Sequence, residues 1–342
     1  MKFSGLGLRV AAGAAAVWVG MAVAVAGQSF QFPTGNRALM ESGGEARFFQ
    51  GTAGKPWMSG QFGCVRSEGR QFHEGVDIQA LQRDARGEPT DAVNASAAGT
   101  VAYVNTRSSL SNYGNYLVLR HQIDGMEVYT LYAHLRSVRE GLKSGVAVQA
   151  GERIGTLGRT ANTQQGISKD RAHLHFEINL VVNDRYGAWH RTRLKGMRND
   201  HGNFNGRNLL GLDPAEVFQE QSRLGAAFRF SEYVRTRPVV ARVAVRDTQI
   251  SWVKRYPQLV MANPVAAREG IAGYELGLSF NGLPVRVVPR AASELKGSGK
   301  VRLVEVDFAE LQGHGCGKLV FKRGQLWTLL PHGEDVVDLI IY

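Results

Sequence analysis

From Ala172 to Ile178 the chain reads Ala-His-Leu-His-Phe-Glu-Ile, with apolar and polar residues in strict alternation. A period of two marks a strand with a buried face and a face lined by polar groups. His173, His175 and Glu177 therefore share one face, while Leu174 and Phe176 turn the other way into a core. Shorter alternating runs follow at residues 239–245, 283–288, 301–308 and 318–321, punctuated by Asn281-Gly282 and Gly297-Ser298-Gly299. They predict a small all-β module over residues 225–342. Long amphipathic helical runs are scarce, and residues 213–223 alone read as a helix, with Asp213 as N-cap before Pro214. For the central part, strand-like runs joined by short Gly- or Asn-bearing turns predict a mainly β, antiparallel fold.

The beginning of the chain has a different pattern. Lys2 and Arg9 lead into an apolar run from Val10 to about Val25, and Ala24-Val25-Ala26 stands before Gly27. A basic start, an apolar middle and small residues at an A-x-A site are the parts of a secretory signal peptide, expected over residues 1–27. The run falls short of the roughly 20 residues that span a bilayer comfortably, no second stretch is long enough, and no cysteine stands where a lipoprotein anchor would need one. The expectation is an exported, cell-envelope-associated protein, periplasmic or extracellular, without a stable transmembrane span after cleavage; an uncleaved anchor is the alternative. Residues 28–55 show no strong periodicity and are expected to wrap around the part that follows.

Charge adds to the picture. Forty-one Lys and Arg against 30 Asp and Glu leave a net charge of +11, of which Lys2 and Arg9 contribute two. A basic balance points to an anionic partner or serves solubility alone. The chain has no nucleic-acid-binding motif, and an export signal argues against nucleic acid, so anionic envelope polymers are the simpler target. The only cysteines, Cys64 and Cys316, form either one disulfide in an oxidising compartment or two free thiols.

The candidate chemistry lies in His73-Glu74-Gly75-Val76-Asp77, His173-Leu174-His175 and a lone His134 between them. Together these supply three metal ligands and two spare imidazoles. Zinc takes imidazole nitrogen and carboxylate oxygen, and a catalytic site uses three protein ligands with the fourth position left for water. The helical H-E-x-x-H motif is absent.

These residues are embedded in a longer set of motifs: Gly60-Gln-Phe-Gly63, His73 to Ile78, Gly99-Thr-Val101, Tyr113 to His121, Tyr129 to Leu135, Val148-Gln-Ala-Gly151, Ile154-Gly155, Gly158 and His173 to Ile178. In this the chain resembles the lysostaphin-type (LytM-like) zinc endopeptidases, which cut peptide cross-links in bacterial peptidoglycan. The resemblance covers roughly residues 56–218, about half the chain, within a catalytic domain expected over residues 56–224. It implies an antiparallel β-sheet or sandwich with an open zinc groove, in which His73, Asp77 and His175 bind one Zn2+ while His134 and His173 stand beside it unligated as the catalytic pair. The expected function is hydrolysis of peptidoglycan cross-links by a zinc-activated water, with stem peptides and cross-links as partners. The alternative is a non-cleaving protein of the same fold that binds the wall or regulates a hydrolase. Glu177 could orient an imidazole or serve only strand pairing.

The chain departs from the family pattern in two places. A long loop without proline, residues 162–172, leads into the His173 strand, and residues 183–211 form an insertion before Asp213-Pro214. That insertion carries Arg185, Arg191, Arg193, Lys195, Arg198 and Arg207 with Tyr186, Trp189 and Phe204, either to contact glycan or acidic stem peptide or as a solvated loop. Of the remaining histidines, His121, His314 and His332 are expected to be structural or exposed, and only His190 and His201 merit a closer look as site residues.

Overall fold

The computed structural model describes residue 1, residues 29–163 and residues 166–342. The signal-peptide expectation for residues 1–27 thus lies outside the described residues, Met1 excepted. The architecture is mainly β and antiparallel. Its centre is a seven-stranded sheet in which Leu209–Leu212, His173–Val181, Met126–Ala133, Tyr116–Ile123, Gly99–Asn105 and Ala147–Val148 follow one another, with Val76–Gln79 paired to the His173 strand.

Local chemistry explains how this sheet is assembled. Tyr116–Ile123 and Met126–Ala133 are joined by Asp124-Gly125, both at positive φ (49° and 73°), with Ile123 opposite Met126. Two left-handed residues make a turn whose twist matches that of the flanking strands, and Asp-Gly is a pair that adopts it readily. The His173 strand is buried on both faces, because Leu174, Phe176 and Ile178 enter the core as the alternation predicts while the opposite face is covered by the site and its surroundings. A three-stranded sheet of Ala92–Asn94, Arg153–Thr156 and Ser137–Val138 supplies the facing layer, and Val93 and Ile154 share one core with Leu174 and Phe176.

The N-terminal residues pack against the sheet. Phe30, Phe48 and Phe49 are buried, Phe32 stacks on Phe218 at 4.3 Å, and the Gln50 amide donates to the Asp77 carbonyl at 2.8 Å. This contact ties the extension to the strand that carries Asp77.

Beyond residue 213 the helix Pro214–Leu224 forms where the sequence places it, with the Asp213 carboxylate accepting from the Ala215 and Glu216 amides. The C-terminal residues build a four-stranded antiparallel sheet in the order Pro284–Arg290, Gly273–Leu278, Ala241–Val245, Val301–Val306, together with a hairpin of Val320–Arg323 and Leu326–Leu329. Every alternating run predicted there contributes a strand. To these the structure adds Gly273–Leu278 and the helices Phe230–Arg235, Ser251–Arg255, Pro264–Glu269, Phe308–Gly313 and Pro331–Ile341, which the expectation of an all-β module did not include. The longest of these, Pro331–Ile341, is rich in Val and Ile, which on their own favour strand. Its helical conformation is imposed by Pro331 at the first turn and by burial of Val336, Val337, Leu339 and Ile340. The hydrophobic core runs without a break into these residues: Phe30 meets Phe230 at 5.4 Å, and the Val181 amide donates to the Tyr256 hydroxyl at 2.9 Å. Cys64 and Cys316 are joined in a disulfide. Among the described residues no helix is long and apolar enough to cross a membrane.

Candidate metal centre

Strand register brings the site together. In the antiparallel pair of Val76–Gln79 and His173–Val181, Asp77 lies directly opposite His175. On the other side His175 pairs with Ala133, the last residue of the strand that leads into His134. His73 ends the hairpin strand Gln71–His73, four residues before Asp77. One cross-strand pair and two strand ends therefore bring His73, Asp77, His134, His173 and His175 to one place.

The distances define a donor triangle. His175 Nδ1 lies 3.0 Å from Asp77 Oδ1, His73 Nε2 lies 3.2 Å from the same oxygen, and the two imidazole nitrogens are 3.0 Å apart. Metal–ligand distances of about 2.0–2.1 Å in a tetrahedron separate adjacent donors by about 3.3 Å, close to this triangle. Protonation fits as well. His73 Nδ1 lies 2.6 Å from the Gln61 carbonyl, and His175 Nε2 lies 2.8 Å from Glu177 Oε1. A carbonyl or carboxylate oxygen accepts, so each of these nitrogens carries a hydrogen, and His73 keeps the lone pair on Nε2. Burial lowers the His175 imidazole, but its hydrogen bonds to Asp77 and Glu177 raise it to about 9, so Nδ1 also carries a hydrogen towards Asp77, one that a metal would displace. Two imidazole nitrogens 3.0 Å apart, facing one carboxylate oxygen and buried from water, make a donor set that fits a divalent cation once the His175 proton leaves, and suits zinc by ligand type.

The other two imidazoles are held in the same way. His134 Nδ1 donates to the Thr160 carbonyl at 2.8 Å and His173 Nδ1 to the Arg171 carbonyl at 2.7 Å. Their rings stand 4.8 Å apart, and His173 Nε2 is 3.5 Å from Asp77 Oδ1. His134 also has a left-handed backbone, φ 60°. A non-glycine residue in that region is costly and persists where its surroundings hold it, commonly at functional sites. Here the His134 amide donates to the Tyr113 carbonyl. Burial pushes the His134 imidazole well below its ordinary value, with His173 and His175 adding to the effect. Burial lowers His173 too, against the pull of Asp77. Both rings are therefore neutral at neutral pH. Burial alone would raise the Asp77 carboxyl, yet the surrounding histidines hold it well below the usual carboxylate range.

Glu177 is fully buried and has both oxygens occupied, Oε1 by His175 and Oε2 by the Asn179 amide at 2.7 Å. Of the two roles open to it, the structure places it behind an imidazole. Arg66 is a contact the sequence did not reveal: its Nη2 lies 2.6 Å from Asp77 Oδ2 and 2.8 Å from His73 Nε2. Its strand is irregular, with a register shift between Gly63 and Arg66, so spacing along the chain carries no signal of where its side chain lands.

Asp77, His134, His173 and His175 line a cleft of about 950 Å³, and His73 is fully buried behind them. Its walls include Trp189, His190, His201 and Arg207 of the 183–211 insertion and His332 and Asp335 of the C-terminal helix. The insertion is partly helical, Tyr186–Arg193, and several of its cations are paired within the chain: Arg193 with Asp338, Arg198 with Asp200, Arg207 with Asp335. His190 and His201 both line the cleft, and His201 Nδ1 meets the Tyr103 hydroxyl at 3.0 Å. His121 and His314 are structural: the first bonds to Ala98 and Thr130, the second stacks on Phe280 at 4.0 Å.

Residues 71–186 match the model of Peptidase family M23. The uncharacterized lipoprotein YgeR of Escherichia coli (strain K12) is 33% identical over 106 residues, which cover 31% of this chain and 34% of that protein; the chain thus spans about a third of the length of this relative. Among solved structures, similarity extends to a zinc containing peptidase from Vibrio cholerae, 27% identical with a TM-score of 0.23, covering 31% of this chain and 26% of the other. It extends also to the catalytic domain of the antimicrobial peptidase lysostaphin from Staphylococcus simulans, 22% identical with a TM-score of 0.28, covering 47% of this chain and 87% of the other.

Proposed function

On the premise that residues 71–186 belong to Peptidase family M23, we propose that the protein is an exported zinc endopeptidase that hydrolyses peptide cross-links of bacterial peptidoglycan. The observation that carries this reading is the buried triangle of His73, Asp77 and His175, with two further neutral imidazoles beside it. A zinc ion held there would lower the pKa of a water towards about 7 and polarise the scissile carbonyl.

The chain's own residues do the remainder. His134 and His173 turn their Nε2 atoms away from the carbonyls that fix Nδ1, so each presents a lone pair that takes a proton from the attacking water. Protonated, the same nitrogen donates a hydrogen bond to the oxyanion or a proton to the leaving amine. Glu177 and Gln61 fix the tautomers of His175 and His73. Export accords with a substrate outside the cytoplasmic membrane, and the relative in Escherichia coli is named a lipoprotein. The net charge of +11 suits an anionic wall polymer.

The test is incubation of the purified protein with isolated peptidoglycan, with and without chelator. Chelator-sensitive release of cleaved cross-links is the expected result. Bound zinc without release would favour the non-cleaving reading.

A further inference from the structure

The hairpin before the first ligand is gripped from the far end of the chain. Gly63–Arg66 and Gln71–His73 pair with Gly63 opposite His73 and Arg66 opposite Gln71. This short ladder carries three contacts to the metal cluster. His73 itself belongs to the cluster; Gln61, entering the hairpin, takes the Nδ1 hydrogen of His73; and Arg66 donates to Asp77 Oδ2 at 2.6 Å. The two Asp77 oxygens are thereby sorted. Oδ1 faces His73, His173 and His175, and Oδ2 faces the guanidinium, whose Nη2 also lies 2.8 Å from His73 Nε2, a contact that a bound metal would displace.

An isolated two-stranded hairpin is marginal by itself, and this one is braced on both strands by C-terminal residues. On the first, Cys64 is bonded to Cys316, 252 residues away, and the Cys316 amide donates to Cys64 Sγ at 3.2 Å. On the second, Phe72 packs edge-on against Phe280 at 5.6 Å, and Phe280 also meets Phe62 at 6.1 Å. Arg66 lies two residues beyond Cys64 on the same strand.

We propose that Arg66 is a positioning residue for Asp77, and that the C-terminal residues hold it in place through Cys64–Cys316, so that metal affinity depends on a covalent bond remote in sequence from the ligands. The proposal rests on the reading of His73, Asp77 and His175 as a metal site, and it gives the C-terminal residues a role beyond packing. Partners that orient metal ligands typically contribute about 10- to 100-fold in affinity.

The experiment is a competition titration of zinc against a chromophoric chelator, using the full chain as wild type, Arg66→Lys, Arg66→Gln, Cys64→Ser/Cys316→Ser and the combination of Arg66→Gln with both serines. Circular dichroism monitors folding. Arg66→Gln is expected to weaken zinc binding by about 10-fold or more, with Arg66→Lys recovering part of the loss. The serine pair is expected to weaken binding as well, and the combined variant to lose no more than about twofold beyond Arg66→Gln, because the disulfide acts through Arg66. Wild-type affinity in Arg66→Gln overturns the proposal, as does a combined loss equal to the product of the separate losses. Should the serine pair fail to fold, Arg66→Gln with its disulfide intact decides. If wild type itself binds no zinc, the metal-site reading falls and takes this proposal with it; wild type binding zinc while Arg66→Gln is unaffected removes the proposal alone.

Discussion

Asp77 and His175 face each other across two antiparallel strands, and Asp77 Oδ1 lies 3.0 Å from His175 Nδ1. Ninety-eight residues of chain separate them, yet a single ladder position fixes their distance. That pairing sets the spacing of the whole centre. One partner is a carboxylate and the other an imidazole whose far nitrogen is committed to Glu177, so displacement of the single hydrogen between them leaves two donors for a cation.

Removing a donor is expected to act differently from removing a neighbouring imidazole. Asp77→Ala and His175→Ala are predicted to lose both zinc and hydrolysis. His134→Ala is predicted to keep zinc while activity falls by about 10²- to 10⁴-fold, the usual contribution of a positioned acid or base. Zinc content by atomic absorption alongside the rate of muropeptide release separates the two classes. Equal loss of metal in all three variants would refute the division of roles.

Glu177→Gln is predicted to weaken zinc binding by about 10- to 100-fold while the fold is retained. The amide keeps the shape but loses the charge that accepts from His175 Nε2. A chelator competition at constant pH reads the loss, and an unchanged dissociation constant would show that Glu177 serves strand packing alone.

How much of this was legible in the sequence depends on the range of the interaction. His173 and His175 were recognisable because period-two alternation is local, and Asp213-Pro214 marked a helix start for the same reason. The opposition of Asp77 and His175 was not legible from spacing, since register between distant strands leaves no local mark; the motif resemblance grouped them instead. Arg66 escaped notice because an irregular ladder decides where its side chain lands. The C-terminal helices escaped it because they are short, and the longest, Pro331–Ile341, carries Val and Ile that favour strand until tertiary burial overrides propensity. Gly273–Leu278 lacks clear alternation because it is buried throughout.

Gly75 sits where the chain turns between His73 and Asp77, and a Cβ there would lie 2.3 Å from the Phe176 carbonyl oxygen and 2.8 Å from Glu177 Cγ. Gly75→Ala is predicted to destabilise the protein by about 1–3 kcal/mol, the usual cost of overpacking. It is also expected to lower metal affinity, because the displaced atoms belong to the strand of His175. Thermal denaturation and zinc titration of the same preparation provide the check; wild-type behaviour in both would show that the strand relaxes freely.

Burial holds the His121 imidazole down at about 4, below its ordinary 6.5. In the unfolded chain this group takes up a proton as pH falls through 6.5, while the folded protein resists until about 4. Its contribution to stability is therefore complete above about pH 6.5 and lost progressively down to about pH 4. The lowering corresponds to about 3 kcal/mol by linkage. Urea denaturation of zinc-loaded protein at several pH values should show wild-type stability falling more steeply over this window than that of His121→Asn. Parallel slopes would contradict the assignment.

The central claim is tested most directly by quantifying muropeptide release from purified peptidoglycan by the zinc-loaded full chain, the chelator-treated chain and the chelated chain resupplied with zinc. The account predicts cleaved cross-links in the first, none in the second and restored cleavage in the third. Zinc bound at one equivalent with no cleavage in any sample would contradict it and establish a metal-binding protein that does not cut.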